Sequence, residues 1–384
     1  MRIFHWLLFC GGLIVWASCS KSSGPSTSSG GTRDTAALPN TVEKTDTLTV
    51  MAYNVLNYGD GCQGSTQTLD AYLRTILQFV QPDLLSCEKM SPFPLTPGAA
   101  GNLADEINDQ VLNADFPDSY SYATPTNASG DKPSVLFYNK QKLTYVKTET
   151  LLVNISDFDL YKLYYNDRNL SITKDTTFLY VVVNHTQSGS SSTSRDQQVT
   201  AEMQALRSKF NNLPNLINMG DFNTRNSVEA GYQSIVSSVD SATMMSDPPF
   251  FPDRKVHYPA NWDVEPYLFE PYLTTSTRLS ANIPNSCGTS GGASSWYDHI
   301  FISPWLVNGS NYVQYLSGSY QTMGNDGHRL GVDINSTNPV VNGSVPAAVA
   351  DALFQFSNKY PVSIRLVVTA NRNANSPADP VERN

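Results

Sequence analysis

The feature that most constrains the fold is a series of short apolar runs, each ending on or opening at a polar residue. Leu48 to Tyr53 stops at Asn54, Asp83 to Cys87 at Glu88, and Phe178 to Asn184 at His185. Leu216 to Met219 leads into Gly220-Asp221-Phe222-Asn223, and Trp296 to Ser303 carries Asp298 near its start. Continuous apolar runs of this length read as strands buried on both faces. Between them the period changes. Leu69, Tyr72, Leu73, Ile76, Leu77 and Val80 recur at steps of three and four, which predicts a helix capped by Ser65 or Thr66 and ended by Pro82. Leu103, Ile107 and Val111 predict another, and Arg195 to Phe210 and Ala347 to Phe356 two more. Further strands are expected at Ser134 to Tyr138, Leu143 to Val153, Val313 to Tyr320 and Val362 to Val368. Asp247 to Pro284, rich in Pro and Tyr, reads as a long ordered loop or lid. Strands and helices alternate with no second linker, so one mixed α/β domain over residues 46–370 is expected.

The N-terminus reads as an address. Arg2, the apolar stretch around Trp6 to Trp16 and the ending Ala17-Ser18-Cys19 have the layout of a signal peptide over residues 1–18. Small residues before a cysteine resemble a bacterial lipobox, with Cys19 carrying lipid. Residues 19–45, dense in Ser, Gly and Thr, would then be a flexible tether, and residues 371–384 a disordered tail. The expectation is an exported, cell-envelope lipoprotein, held to a membrane by its anchor. Cys62 and Cys287 both lie in Gly-rich loops and are candidates either for a disulfide or for free thiols; Cys87 reads as a small buried hydrophobe. A net charge of -9 argues against nonspecific attraction to nucleic acid.

Each strand-end residue, taken alone, has a plain explanation as a turn former, an edge charge or a hydrogen-bonded interior group. Their types are nonetheless informative. Carboxylates and amides are hard oxygen ligands suited to Mg²⁺, Mn²⁺ or Ca²⁺, whereas zinc is disfavoured in a chain with five His, none adjacent to a Cys.

In order along the chain, Leu48 to Asn57, Pro82 to Glu88, Val183-Asn184-His185, Gly220-Asp221-Phe222-Asn223 and Tyr297-Asp298-His299-Ile300 resemble the signature segments of the endonuclease/exonuclease/phosphatase superfamily. The resemblance runs from about Leu48 to Val368. It implies a four-layer α/β/β/α sandwich of two packed mixed sheets, and hydrolysis of a phosphoester with a divalent metal, Mg²⁺ first. It also implies roles. Glu88, with Asn54 beside it, would hold the metal, and Asp221 would orient or deprotonate the attacking water. Asn223 would hold a phosphate oxygen, His185 would assist the leaving group or phosphate, and Asp298 would complete the polar cluster. Arg168 falls where the family often places a phosphate-binding Arg.

The chain departs from the family at its last segment. Where members have Ser-Asp-His, this chain reads Ser357-Asn358-Lys359-Tyr360-Pro361-Val362. Asn cannot accept as an anion, and a solvated Lys is almost fully protonated near neutral pH, so neither supplies the usual base. Lys359 would instead stabilise phosphate charge. Asp326-Gly327-His328 is the rival match, set aside because no terminal strand follows it. Two functions remain open: a metal-dependent phosphoesterase acting on a small molecule, a lipid or a nucleic acid, or a degenerate member that binds a ligand in the cell envelope. No protein partner is implied.

Overall fold

The structure is a computed structural model that describes residues 43–153, 158–250, 253, 255, 260–280 and 287–372. The expected signal peptide, Cys19, nearly all of the expected tether and nearly all of the expected tail lie outside the described residues; the expected tether's last residues, Lys44 and Thr45, belong instead to the first strand, paired with Ala370 and Thr369.

In chain order the strands are β1 (Lys44–Tyr58), β2 (Leu84–Met90), β3 (Tyr120–Ala123), β4 (Val135–Asn139), β5 (Leu143–Leu152), β6 (Phe158–Tyr165), β7 (Phe178–His185), β8 (Leu216–Asp221), β9 (Asp298–Ile302), β10 (Val313–Tyr315), β11 (Gln321–Thr322) and β12 (Val362–Ala370). The helices are α1 (Thr66–Val80), α2 (Leu103–Ile107), α3 (Leu170–Thr173), α4 (Thr193–Lys209), α5 (Ala230–Val236), α6 (Pro304–Asn308) and α7 (Ala347–Phe356). One sheet runs β10-β12-β1-β2-β4-β3, with β11 on β12; the other runs β5-β6-β7-β8-β9. Both are mixed. β1 and β2 are parallel around α1, and β7 and β8 are parallel around α4, while their other neighbours are antiparallel.

The layering follows from the period of the strands. In β1, Leu48, Val50 and Ala52 face one apolar cluster and Met51, Tyr53 and Val55 another. The first cluster joins Val181, Val183, Ile217, Met219 and Ile300 of the opposite sheet, so it is the seam between the sheets. The second receives Leu73, Ile76 and Leu353 on one side, while Val199, Met203 and Ile235 cover the other sheet's outer face. Helix, sheet, sheet, helix is the resulting sandwich. Successive side chains on a strand point to opposite faces, so a strand apolar on both faces needs cover on both.

Local signals act as expected at α1. The Ser65 hydroxyl accepts from the Thr68 amide, and Gln81 turns left-handed before Pro82. Elsewhere the structure differs. The helix expected through Val111 ends at Ile107 and continues as a π-helical turn over Asn108–Leu112. β6 was hidden in the sequence because its polar Asp159, Lys162 and Tyr side chains break the apolar run. The strand expected over Val313 to Tyr320 stops at Tyr315. In the region expected as a lid, Trp262 and Phe269 are buried and pack with Trp296. Their rings therefore serve the core, and the exposed Tyr267 is not part of that packing. Cys62 and Cys287 are joined as a disulfide, with Cα atoms 5.9 Å apart.

Candidate active site

Sheet register brings the strand-end residues to one end of the sandwich. Asn54 pairs with Glu88 across β1 and β2, His185 with Asp221 across β7 and β8, and Asp221 with Asp298 across β8 and β9. Both parallel pairs end at this edge, and the two sheets face one another, so residues up to 244 positions apart in the chain become neighbours (Asn54 and Asp298). Asn54 Nδ2 donates to Asp221 Oδ2 at 2.8 Å, a bond that crosses from one sheet to the other.

Lys359 lies in the same cluster, just before β12. Its Nζ is 2.9 Å from Asp221 Oδ2 and 3.5 Å from Asp298 Oδ2, and sits 4.8 Å from the centre of the Tyr297 ring. The Ser357 hydroxyl positions this segment, donating to the Asn54 carbonyl at 2.8 Å and accepting from the Lys359 amide at 3.1 Å. Lys359 is therefore buried, not solvated as its sequence context implied. Burial pulls its ammonium down, but the Asp221 and Asp298 carboxylates outweigh this and raise it. It is a fixed cation. Beside it, Asn358 Nδ2 donates to Thr289 Oγ1 at 2.5 Å. The rival His328 is exposed, and Asp326 is taken up by the His328 amide and the Arg329 guanidinium. Lys359, not His328, meets Asp221 and Asp298.

The acids differ in state. Burial alone would raise Asp221, yet the Lys359 ammonium, with the Asn54 bond, holds it below the usual carboxylate range. Asp298 is pushed up to about 7, by burial first and by Asp221, with Lys359 acting in the opposite direction. Lys359 bridges both acids, and its closer approach to Asp221 explains why their shifts have opposite signs. Glu88 is fully buried; burial and the neighbouring Asp298 and Asp221 raise its carboxyl well above the ordinary value, against a hydrogen bond from Ser86. His185 is lowered to about 3 by burial and by Lys89, Lys132 and Lys359, against Asp221, so its imidazole is neutral at pH 7. Asn223, left-handed at φ 49°, donates its side-chain amide to the Thr186 carbonyl at 3.0 Å and its backbone amide to Asp221 Oδ1 at 3.0 Å.

A divalent cation can be tested against these groups. Glu88 Oε2 is buried and has no hydrogen-bond partner among the described residues, and the Asp298 and Asp221 charges act on it. Asn54 Oδ1 accepts only from the Leu56 amide, leaving a lone pair on the paired strand. Among the described residues no three His, Cys, Asp or Glu side chains gather as a metal cage. The donors thus fit a cation that takes few protein oxygens and keeps several waters, as Mg²⁺ does.

Arg168 is a correction. It lines a cavity with Lys44 and Ala370, at the start of β1 and the end of β12. Ten residues of strand separate Lys44 from Asn54, roughly 33 Å of extended chain. Arg168 sits too far away to reach a phosphate at Glu88, because the segment before β7 enters at the opposite end. Cations at the site come instead from Lys359 and from Lys89 and Lys132, which the motif pattern did not single out. Lys89 had a signal, its place directly after Glu88; Lys132 had none, since its position depends on how the loop before β4 folds.

Comparison with known proteins returns no matching family profile and no curated relative. Among solved structures, the chain is similar to D. rerio TDP2 complexed with a single-strand DNA product (14% identity over 83% of this chain and 98% of that one, TM-score 0.49). It is also similar to an endonuclease/exonuclease/phosphatase family protein from Bacteroides thetaiotaomicron (15%, 85% and 99%, TM-score 0.46). A third is the human Nocturnin catalytic domain with bound sulfate (12%, 85% and 97%, TM-score 0.46). These are likenesses of chain path, and they assign no activity to this chain.

Proposed function

We propose that this chain, a four-layer sandwich with the ordered strand-end residues of the endonuclease/exonuclease/phosphatase superfamily, hydrolyses a phosphoester with the help of a divalent cation. One observation carries the reading. The inter-sheet bond from Asn54 to Asp221 joins a residue beside the orphaned Glu88 oxygen to a carboxylate kept anionic by Lys359. Phosphoryl transfer needs an aligned water and neutralised phosphate charge more than covalent chemistry. In this reading Glu88, with Asn54, holds the cation, which supplies charge neutralisation and a water of lowered pKa when bound. Asp221 orients and accepts a proton from the attacking water. The neutral His185 and the Asn223 amide donate hydrogen bonds to phosphate oxygens, and Lys359 holds Asp221 ionised while adding positive potential. The expected N-terminal signal and tether would place this site in the cell envelope, on the membrane by a lipid at Cys19.

The clasp of Lys359 by two acids favours a second reading, in which the site binds a phosphorylated ligand without turning it over. Assay of bis-p-nitrophenyl phosphate and plasmid DNA with and without Mg²⁺ or Mn²⁺ separates the two. Metal-dependent turnover is expected, falling roughly 100-fold or more in Glu88→Ala and Asp221→Ala. Turnover absent in the wild type, or unchanged in both variants, refutes the hydrolytic reading.

A further inference from the structure

Lys359 and its acids do not account for all the positive charge at this end of the molecule. β2 leaves its pairing with β4 after Cys87 and Val135, and the Met90 amide then donates to the Pro133 carbonyl at 2.9 Å. That bond joins the backbones one residue beyond Lys89 and Lys132, directly after Glu88, and the Asp221 and Asp298 charges both act on Lys89. Both have left-handed backbones, at φ 61° and 59°, a conformation that crowds the Cβ of any residue with a side chain. Strained positions of this kind collect where the surrounding structure has a use for them.

Neither lysine is committed elsewhere. Lys89, half-buried, has no ion pair or hydrogen bond among the described residues. Lys132 reaches only its neighbour Asp131, at 3.8 Å and with the acid well exposed, a contact of little energetic worth. Of the buried arginines, Arg195, Arg329 and Arg372 each have a carboxylate within 3.6 Å, and Arg278 donates to the Phe354 and Gln355 carbonyls. Both lysines and Lys359 act on the His185 imidazole, which puts the pair on the His185 side of the cluster. An ammonium drawn out of water without a counter-ion needs one. Lysine suits phosphate as a point charge on a long stem.

We propose that Lys89 and Lys132 form a clamp for a second phosphate of the ligand, adjacent to the one met by His185 and Asn223. The ligand class is a phosphoester with a neighbouring phosphate, as found both in a nucleotide strand and in a polyphosphorylated polyol. The inference deepens the phosphoesterase reading, but the clamp itself is a binding property.

The test is calorimetric titration of the full chain, with chelator present so that nothing is hydrolysed. One arm compares a 5′-phosphorylated thymidine dinucleotide with its unphosphorylated form; the other compares an inositol bisphosphate with an inositol monophosphate. In at least one arm the extra phosphate is expected to tighten binding about tenfold, and the arm that responds names the source. Lys89→Ala and Lys132→Ala should remove most of that gain, and Lys89→Arg should keep it. Lys140→Ala, which removes an exposed charge paired with Asp118, should keep it too, and melting temperatures identify any variant that fails to fold. No gain in either arm, or a gain that survives in folded Lys89→Ala and Lys132→Ala, overturns the clamp. If the gain is lost as expected while metal-dependent hydrolysis is absent, the clamp stands and the phosphoesterase reading falls.

Discussion

Lys359 stands where the pattern that this sequence resembles has an imidazole, and burial makes it an ion-pair hub for Asp221 and Asp298. Two buried carboxylates rely on one ammonium, so removing it leaves both uncompensated. Lys359→Met should therefore cost about 3–5 kcal/mol in chemical denaturation, more than an exposed lysine could. A buried acid away from this cluster makes a pH prediction. Glu202 on α4 accepts from Asn218 Nδ2 at 2.6 Å, has an unpartnered Oε2, and is raised by burial to about 8. Its folded pKa lies above its unfolded value, so the protonated form is the one folding favours. Its stabilising effect is present below about pH 4.5 and is lost as pH rises toward 8. Glu202→Gln keeps the hydrogen bond without the charge, and should flatten the fall in melting temperature over that window. A fall of equal slope in the variant would refute the assignment.

At the scale of elements, the parallel pair β7 and β8 is held by a close approach that only glycine permits. Gly220 has φ 137°, and a Cβ there would lie 2.0 Å from the Asn184 carbonyl oxygen. Gly220→Ala must push the strands apart beside Asp221 and His185; an expected loss of about 3 kcal/mol should come with loss of turnover. The other element-scale device is the Cys62–Cys287 disulfide, which ties the loop after β1 to the loop bearing Gly288 and Thr289. Thr289 in turn receives the Asn358 side chain beside Lys359. Cys62→Ser with Cys287→Ser should lower stability by about 2–5 kcal/mol, measured by denaturant titration under non-reducing conditions, and no change would show that the loops are held by their hydrogen bonds alone.

At the scale of the molecule, the polar cluster occupies one end of the sandwich and Arg168 the other. Arg168→Ala should therefore leave KM for a phosphoester substrate unchanged; a marked rise would mean that the ligand reaches across the sandwich. The strand-end carboxylates and amides were legible in the sequence because each sits at a break between an apolar run and a turn, a local event with a local signature. α1 was legible for the same reason, through its spacing, its Ser65 cap and Pro82. The alternation of runs and amphipathic spacing determined a mixed α/β domain with covered strands, since strands apolar on both faces must be buried on both; the division into two sheets came from the resemblance of the ordered segments. What the tertiary structure alone decided was which charges meet. The burial of Lys359 between Asp221 and Asp298, the meeting of the Met90 and Pro133 backbones beside Lys89 and Lys132, and the exile of Arg168 depend on register and on loop paths between distant strands. Those are contacts of long sequence separation, and no local propensity encodes the distance between two side chains that the fold brings together.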